Sequence, residues 1–163
     1  GQWAAKGQVI EKLLDSMLSD DYFKKAPPKS TGRDLFNPNW LKHHLTTSAC
    51  SNQKPEDIQA TLLALTTQSI AHALKQHAPK TMSLLICGGG IKNSHLIAQI
   101  KNACTWIPQE NIQSTAARGV DPQTVEAGAF AWLAWAHKRK QPANLPAVTG
   151  AKGLRVLGAH YPA

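Results

Sequence analysis

Cysteine is scarce in this sequence. Cys50, Cys87 and Cys104 are the only three in 163 residues, an odd number with no paired spacing. That excludes a disulfide framework and predicts reduced thiols in a cytoplasmic protein. Zinc-ligand spacing is missing too, since none of the seven histidines pairs with a cysteine at metal-site intervals. The adjacent His43 and His44 would point different ways on a helix, so a surface role is expected of them. Aromatic residues make up only 6% of the chain and form no stripe with the basic ones. Nucleic acid is therefore not an expected partner, although a net charge of +8 favours some anionic ligand or surface. The apolar stretches are broken by Gln, His or Glu, which removes a membrane span from consideration. The start, Gly1-Gln2-Trp3-Ala4-Ala5-Lys6, has neither an initiator Met nor the basic-then-apolar form of a secretory leader. A cut piece of a longer protein is the expectation.

What the chain does contain is concentrated in residues 84–93. Leu84, Leu85, Ile86 and Cys87 run directly into Gly88, Gly89 and Gly90, with Asn93 shortly after. A short apolar run bounded by turn residues predicts a buried, parallel strand. Three glycines remove every Cβ at the strand's exit, so another group can approach the backbone closely. Asn93 is a good N-cap, and the helix it opens would aim free N–H groups and a positive dipole end at that exit. Strand, glycine turn and helix start together suit an anion or a nucleotide.

The remaining chain reads as mostly helical. Apolar residues at Val9, Ile10, Leu13, Leu14, Met17 and Leu18 predict a helix over 3–18, with Gly7 a weak point that marks either close packing or plain tolerance. Residues 26–34 are a loop by composition. Within it, Lys29-Ser30-Thr31-Gly32 lacks the glycine-rich lead of a Walker A loop. Asn37 and Pro38 open a short helix carrying Trp40, Leu41 and Leu45. Residues 55–78 predict a long helix so apolar that most of its sides should be covered, with His72 and His77 structural or exposed. Further expectations are a helix over 94–104, a strand over 112–115, a turn at Gly119-Val120-Asp121 and a helix over 122–137. The tail from Gln141 should be irregular. Two strands cannot make a stable sheet alone, and at least one looks buried on both faces. The chain therefore reads as part of a larger α/β domain.

One carboxylate is out of keeping with its surroundings. Glu126 is the only charged residue between Asp121 and Lys138, and Phe130, Trp132, Leu133 and Trp135 follow it on the same helix. Burying a carboxylate among such groups is costly unless it is paired or faces a polar cavity. The alternative is a first-turn Glu that faces solvent and suits the helix dipole.

Several stretches then agree on one family. They are Gly1-Gln2-Trp3-Ala4-Ala5-Lys6-Gly7, Pro28-Lys29-Ser30-Thr31-Gly32-Arg33-Asp34-Leu35-Phe36-Asn37, and Cys87-Gly88-Gly89-Gly90 with Asn93. To these belong Val125-Glu126-Ala127, Ala129-Phe130-Ala131-Trp132-Leu133-Ala134, and Asn144-Leu145-Pro146 with Val148-Thr149-Gly150-Ala151. In this order they resemble the C-terminal part of anhydro-N-acetylmuramic acid kinase, of the sugar kinase and actin-like ATPase superfamily. The resemblance implies a helix-rich α/β portion of an actin-like ATPase (ribonuclease H-like) domain with few strands. It implies ATP and Mg2+ as cofactors, and a kinase that opens 1,6-anhydro-N-acetylmuramic acid with water while phosphorylating it, in cell-wall recycling. It assigns Gly88, Gly89, Gly90 and Asn93 to the adenosine-binding motif and Glu126 to the sugar. No catalytic residue is assigned, because the family's Asp-Thr-Gly-Pro-Gly-Asn motif, with the catalytic base, would lie upstream of Gly1. The N-terminal lobe would then be a required partner, a homodimer is left open, and activity from these residues alone is not expected.

Two other readings follow from the same residues. One is a non-catalytic nucleotide-binding or regulatory module descended from the kinase. The other, resting on charge alone, is a helical nucleic-acid-binding protein, for which the patterning argues poorly.

Overall fold

The first expected helix is split in two. In the computed structural model, which describes residues 1–161, Ala4–Lys6 form a single 3-10 turn and helix α1 begins only at Glu11, running Glu11–Leu18. The break comes from Gly7, whose backbone is extended (φ −91°, ψ 168°). A Cβ at Gly7 would fall on the backbone carbonyl of Glu56. Backbone donors that a continuous helix would satisfy internally go across instead. Gln8 N donates to Asp57 Oδ1 at 2.7 Å and Ile10 N to Thr61 Oγ1 at 3.0 Å. Of the two readings of Gly7, close packing holds; the continuous helix does not.

Side-chain caps set the next boundaries. Helix α2 (Asp21–Lys24) opens at Asp20, whose carboxylate accepts from Tyr22 N. Helix α3 (Pro38–Thr47) opens at Asn37, whose Oδ1 accepts from the backbone N–H of Asn39 and Trp40, with Pro38 in the first turn as expected. Along α3, His43 turns to solvent but His44 turns inward and is 7% exposed. Its surface assignment is corrected: the ring stacks edge-on to Trp40 at 4.4 Å and shares a 2.9 Å hydrogen bond with Ser16 Oγ.

Helix α4 (Pro55–His77) is the spine. The N-terminal 3-10 turn, α1 and the later helix at residues 94–103 all pack against it. Its middle turns contribute to two core clusters. Leu65 joins Leu13, Leu14, Met17 and Cys50, while Ala71 joins Ile100, Cys104, Ile107 and Ile112. The buried Thr61 and Thr67 satisfy their hydroxyls on the carbonyls of Asp57 and Ala64. The cover is narrower than the composition of the helix implies. Thr66, Gln68, His72 and Ala73 are exposed, so one side of α4 is open.

Strand β1 (Leu84–Ile86) pairs in parallel with β2 (Ile112–Ser114), with α5 (Ser94–Ala103) as the crossover. Leu84 faces Ile112 and Ile86 faces Ser114 in register. Leu84, Ile86 and Ile112 pack into the second cluster, whereas Leu85 is 41% exposed beside the exposed Gln113. The sheet thus has one packed face and one open face, correcting the expectation of burial on both.

Helix α6 spans Val125–Lys138, starting three residues later than the pattern suggests. Asp121 is the reason. Its carboxylate accepts from Gln123 N at 2.8 Å and its carbonyl from Thr124 N at 3.0 Å, closing a turn before the helix. In the tail, otherwise irregular as expected, a single short helix α7 (Pro146–Thr149) ends at the left-handed Gly150.

Candidate nucleotide-binding site

Parallel strands leave both C-terminal ends on one edge, and the crevice outside that edge is where open α/β sheets bind ligands. Here that edge carries the residues after Ile86 and after Ser114. The first of these is the glycine turn. Gly88 has φ +78° and ψ −175°, a backbone state that only glycine enters without strain. Gly89 is different, because its φ is not in the left-handed range and nothing lies within 4 Å of where its Cβ would be. A Cβ at Gly90 would make ordinary contact with Leu96 at 3.7 Å. The chain's own packing therefore does not require glycine at position 89, and the space above it is open to another molecule.

The turn does not lead straight into α5. Residues Gly89–Lys92 form a 3-10 turn, and Asn93 closes it and caps α5. The expected cap is present: Asn93 Oδ1 accepts from Leu96 N at 2.9 Å. That oxygen is committed to the helix, so what Asn93 has to offer a ligand is its amide nitrogen. The N-terminal residue of the chain also abuts this point, since a Cβ at Gly1 would collide with the Asn93 side chain and meet His95.

Glu126 lies in the first turn of α6 and is exposed. The burial expected around it is absent, because α6 itself is largely bare. Phe130 is 71% exposed, Trp132 51% and Trp135 46%. Partial cover comes from the tail, where Leu157 and Ala159 with Phe130, Leu133 and Trp135 line a cavity of about 680 Å³. His137 Nδ1 and the Leu157 carbonyl share a 2.9 Å hydrogen bond there.

The structure does bring the glycine turn and the start of α6 together, through residues that the pattern of the sequence does not flag. Gly88 N donates to the Pro122 carbonyl at 2.8 Å, and Gln123 Nε2 donates to the Gly88 carbonyl at 3.0 Å. Both backbone groups of Gly88 are thereby tied to the turn from which α6 springs. No motif carries this link, since a glutamine in a polar turn has no distinguishing neighbours. A second missed feature is Thr115, just past β2, whose hydroxyl is buried without a partner.

Other candidates resolve into structural roles. Lys29 Nζ donates to the carbonyls of Tyr22 and Phe23 at 3.0 and 3.1 Å and sits 5.0 Å over the Tyr22 ring. It ties a loop to α2. Cys50 and Cys104 are buried thiols and Cys87 an exposed one, none of them bridged. Burial raises the Cys104 thiol above its usual range. Among the described residues no group of three His, Cys, Asp or Glu side chains could hold a metal, and no helix is long and apolar enough to cross a membrane.

Comparison with known proteins agrees with the motif order along the chain. The family model described as anhydro-N-acetylmuramic acid kinase matches residues 1–163. The anhydro-N-acetylmuramic acid kinase of Burkholderia orbicola is 51% identical over 99% of this chain and 42% of its own length. That of Pseudomonas syringae is 50% identical over 100% of this chain and 43% of its own, and that of Cupriavidus metallidurans 48% over 99% and 42%. The chain spans about two-fifths of the length of these curated relatives. A family match from end to end, with about half of the residues identical in relatives from three genera, shows that this chain belongs to the anhydro-N-acetylmuramic acid kinase family.

Proposed function

We propose that this chain is the C-terminal portion of the ATP-binding lobe of a two-lobed, actin-like kinase acting on 1,6-anhydro-N-acetylmuramic acid. In the reaction water adds at the anomeric carbon, the anhydro bridge to O6 opens, and O6 takes the γ-phosphoryl group of ATP. The products are N-acetylmuramic acid 6-phosphate and ADP, as cytoplasmic cell-wall recycling requires. Gly88, Gly89, Gly90 and Asn93 line the adenosine side of the cleft, and Glu126 reaches the sugar. The catalytic base and the first phosphate loop belong to the other part of the protein. Phosphoryl transfer rests on positioning and charge stabilisation, so these residues supply nucleotide placement and not the chemical step. Mg2+ would be carried by the ATP phosphates and supply charge neutralisation there; none of this chain's residues is assigned to it.

The observation that carries this reading is Gly89, a glycine that neither backbone strain nor packing within the chain requires. A nucleotide lying against the turn accounts for the missing side chain. Asn93 and Glu126 come to their roles through the family resemblance, and the exposure of Glu126 leaves its carboxylate available. The exposed apolar surface of α6 fits a helix that the rest of the kinase covers.

The test joins this chain to the part of the Burkholderia orbicola relative that it does not match, and titrates ATP·Mg against that protein and its Gly89→Asp variant. The introduced carboxylate has room, so the fold should be unchanged while the new side chain blocks the turn and repels phosphate. Weaker ATP binding by at least about tenfold is expected, from crowding of the nucleotide and like-charge repulsion at the turn. Equal binding by both proteins would remove the turn from the nucleotide site.

A further inference from the structure

The glycine turn is held largely from outside itself. Gly88 occupies a left-handed backbone state (φ +78°), and no side chain lies within 4 Å of its would-be Cβ to wedge it there. The turn before α6 makes the shorter bonds to it, with Gly88 N on the Pro122 carbonyl at 2.8 Å and Gln123 Nε2 on the Gly88 carbonyl at 3.0 Å, while Ile91 N adds a longer one to that carbonyl at 3.3 Å. Gln123 is itself fixed. Its backbone N–H is bound by the Asp121 carboxylate at 2.8 Å, and the same aspartate's carbonyl accepts from Thr124 N and Thr124 Oγ1, both at 3.0 Å. The carboxamide thus reaches Gly88 from a turn of defined shape, just before the helix that carries Glu126.

We propose that Gln123 is a positioning residue for the nucleotide, holding the Gly88 carbonyl and so the shape of the turn on which ATP lies. This rests on the glycine turn being the nucleotide site. Of the bonds at Gly88, the one to the Pro122 carbonyl and a longer one from Ile91 N (3.3 Å) are backbone and survive any substitution at position 123, whereas the one from Gln123 depends wholly on its side chain. Without the carboxamide the Gly88 carbonyl keeps the bond from Ile91 N and can take water in the free protein, so the loss costs little stability. It costs affinity, because the turn must then be ordered when the nucleotide binds. The same link ties the turn to the base of α6, so the first turn of that helix and the nucleotide turn move as one unit.

The experiment uses the joined kinase with Gln123→Met, which keeps the side chain's length and removes the donor, and Gln123→Glu, which sets a carboxylate against the Gly88 carbonyl. Both are compared with Gly89→Asp for ATP KM, sugar KM and thermal midpoint. The expected result is a roughly threefold to tenfold rise in ATP KM for Gln123→Met, the range set by the net worth of one hydrogen bond. Gln123→Glu should rise further, while sugar KM and midpoint stay near the parent's. A purely structural role would lower the midpoint and leave ATP KM alone, which overturns the proposal, as does an unchanged ATP KM in Gln123→Met. Should Gln123→Glu fail to fold, Gln123→Met decides alone. If Gly89→Asp weakens ATP while the Gln123 variants do not, only the role of Gln123 falls. If Gly89→Asp changes nothing, the nucleotide reading falls and this one with it.

Discussion

Gly7 lies so close to the backbone carbonyl of Glu56 that no side chain fits between them. This contact seats the N-terminal turn, Ala4–Lys6, on α4 and places Ala4, 3% exposed, in the interface. Because the Gly7 backbone is an ordinary extended one, a substitution is penalised by crowding alone. Gly7→Ala should cost about 1–3 kcal/mol, the usual range for overpacking a tight contact. Urea unfolding monitored by tryptophan fluorescence measures it. A midpoint equal to the parent's would mean that the segment moves aside freely.

A second relationship ties the loop before α2 to α3 and makes stability pH-dependent. Burial disfavours the charged form of Asp20, yet the Trp40 indole N–H at 2.9 Å, the Tyr22 backbone N–H at 2.8 Å and nearby His44 together hold its carboxyl below the ordinary value of 3.8. Burial also lowers His44 below 6.5, assisted by His43 and opposed by Asp20. His44 Nε2 and Asp20 Oδ2 are 4.0 Å apart, and with the ring neutral at pH 7 they are not an ion pair. Both shifts point the same way. The unfolded chain binds a proton at His44 before the folded one does, so its contribution is full above pH 6.5 and is lost as pH falls below that. The contribution of Asp20 is full above pH 3.8 and is lost as pH falls through the lowered folded value. The urea midpoint should therefore fall from about pH 7.5 to about pH 5, and His44→Gln should flatten that step. Parallel profiles for the two proteins would place the titrating group elsewhere.

Most of the architecture follows from local chemistry, and the misses have a common cause. Asn37 with Pro38, Pro55 with two acids behind it, and Asn93 all open helices where their side chains predict, because a helix start is settled within a few residues. The two strands are likewise legible from short apolar runs, and the parallel character expected of the first holds, although their pairing with each other is seen only in the structure. Burial is what the sequence misjudges. Helix α6 and the second face of β1 are apolar enough to imply cover, but they are exposed here. Apolar composition says that a surface is to be covered, not by what. Gln123 escapes notice for the opposite reason. Its importance lies in one long-range hydrogen bond to Gly88, and a 35-residue separation leaves no periodic trace.

The bare face of α6 makes a prediction with opposite signs in two settings. Phe130 and Trp132 are 71% and 51% exposed on a helix with no charged residue from Ala127 to His137. Exposed apolar surface of this kind drives association. Replacing both with Ser should lower dye binding and self-association of the chain alone. In the joined kinase, where the remaining part is proposed to cover α6, the same pair should cost roughly 3–5 kcal/mol or more in unfolding, as for truncating buried aromatics. Improved behaviour in both settings would mean that α6 stays exposed in the whole protein.

Glu126 gives the sharpest test of how labour is divided across the proposed cleft. It stands in the first turn of α6 and is exposed, shortly beyond Gln123, whose carboxamide bonds the Gly88 carbonyl. A carboxylate that accepts from sugar hydroxyls contributes a charge-assisted hydrogen bond, and its loss typically costs about 1.5–3 kcal/mol. Glu126→Gln in the joined kinase should therefore lower kcat/KM for the anhydro sugar by roughly tenfold to a hundredfold. ATP KM should hold within about twofold, because the link from Gln123 to Gly88 does not pass through this side chain. An equal loss on both substrates would assign Glu126 to the turn's architecture. Unchanged sugar kinetics would leave it a surface carboxylate whose only work is to complement the dipole at the start of α6.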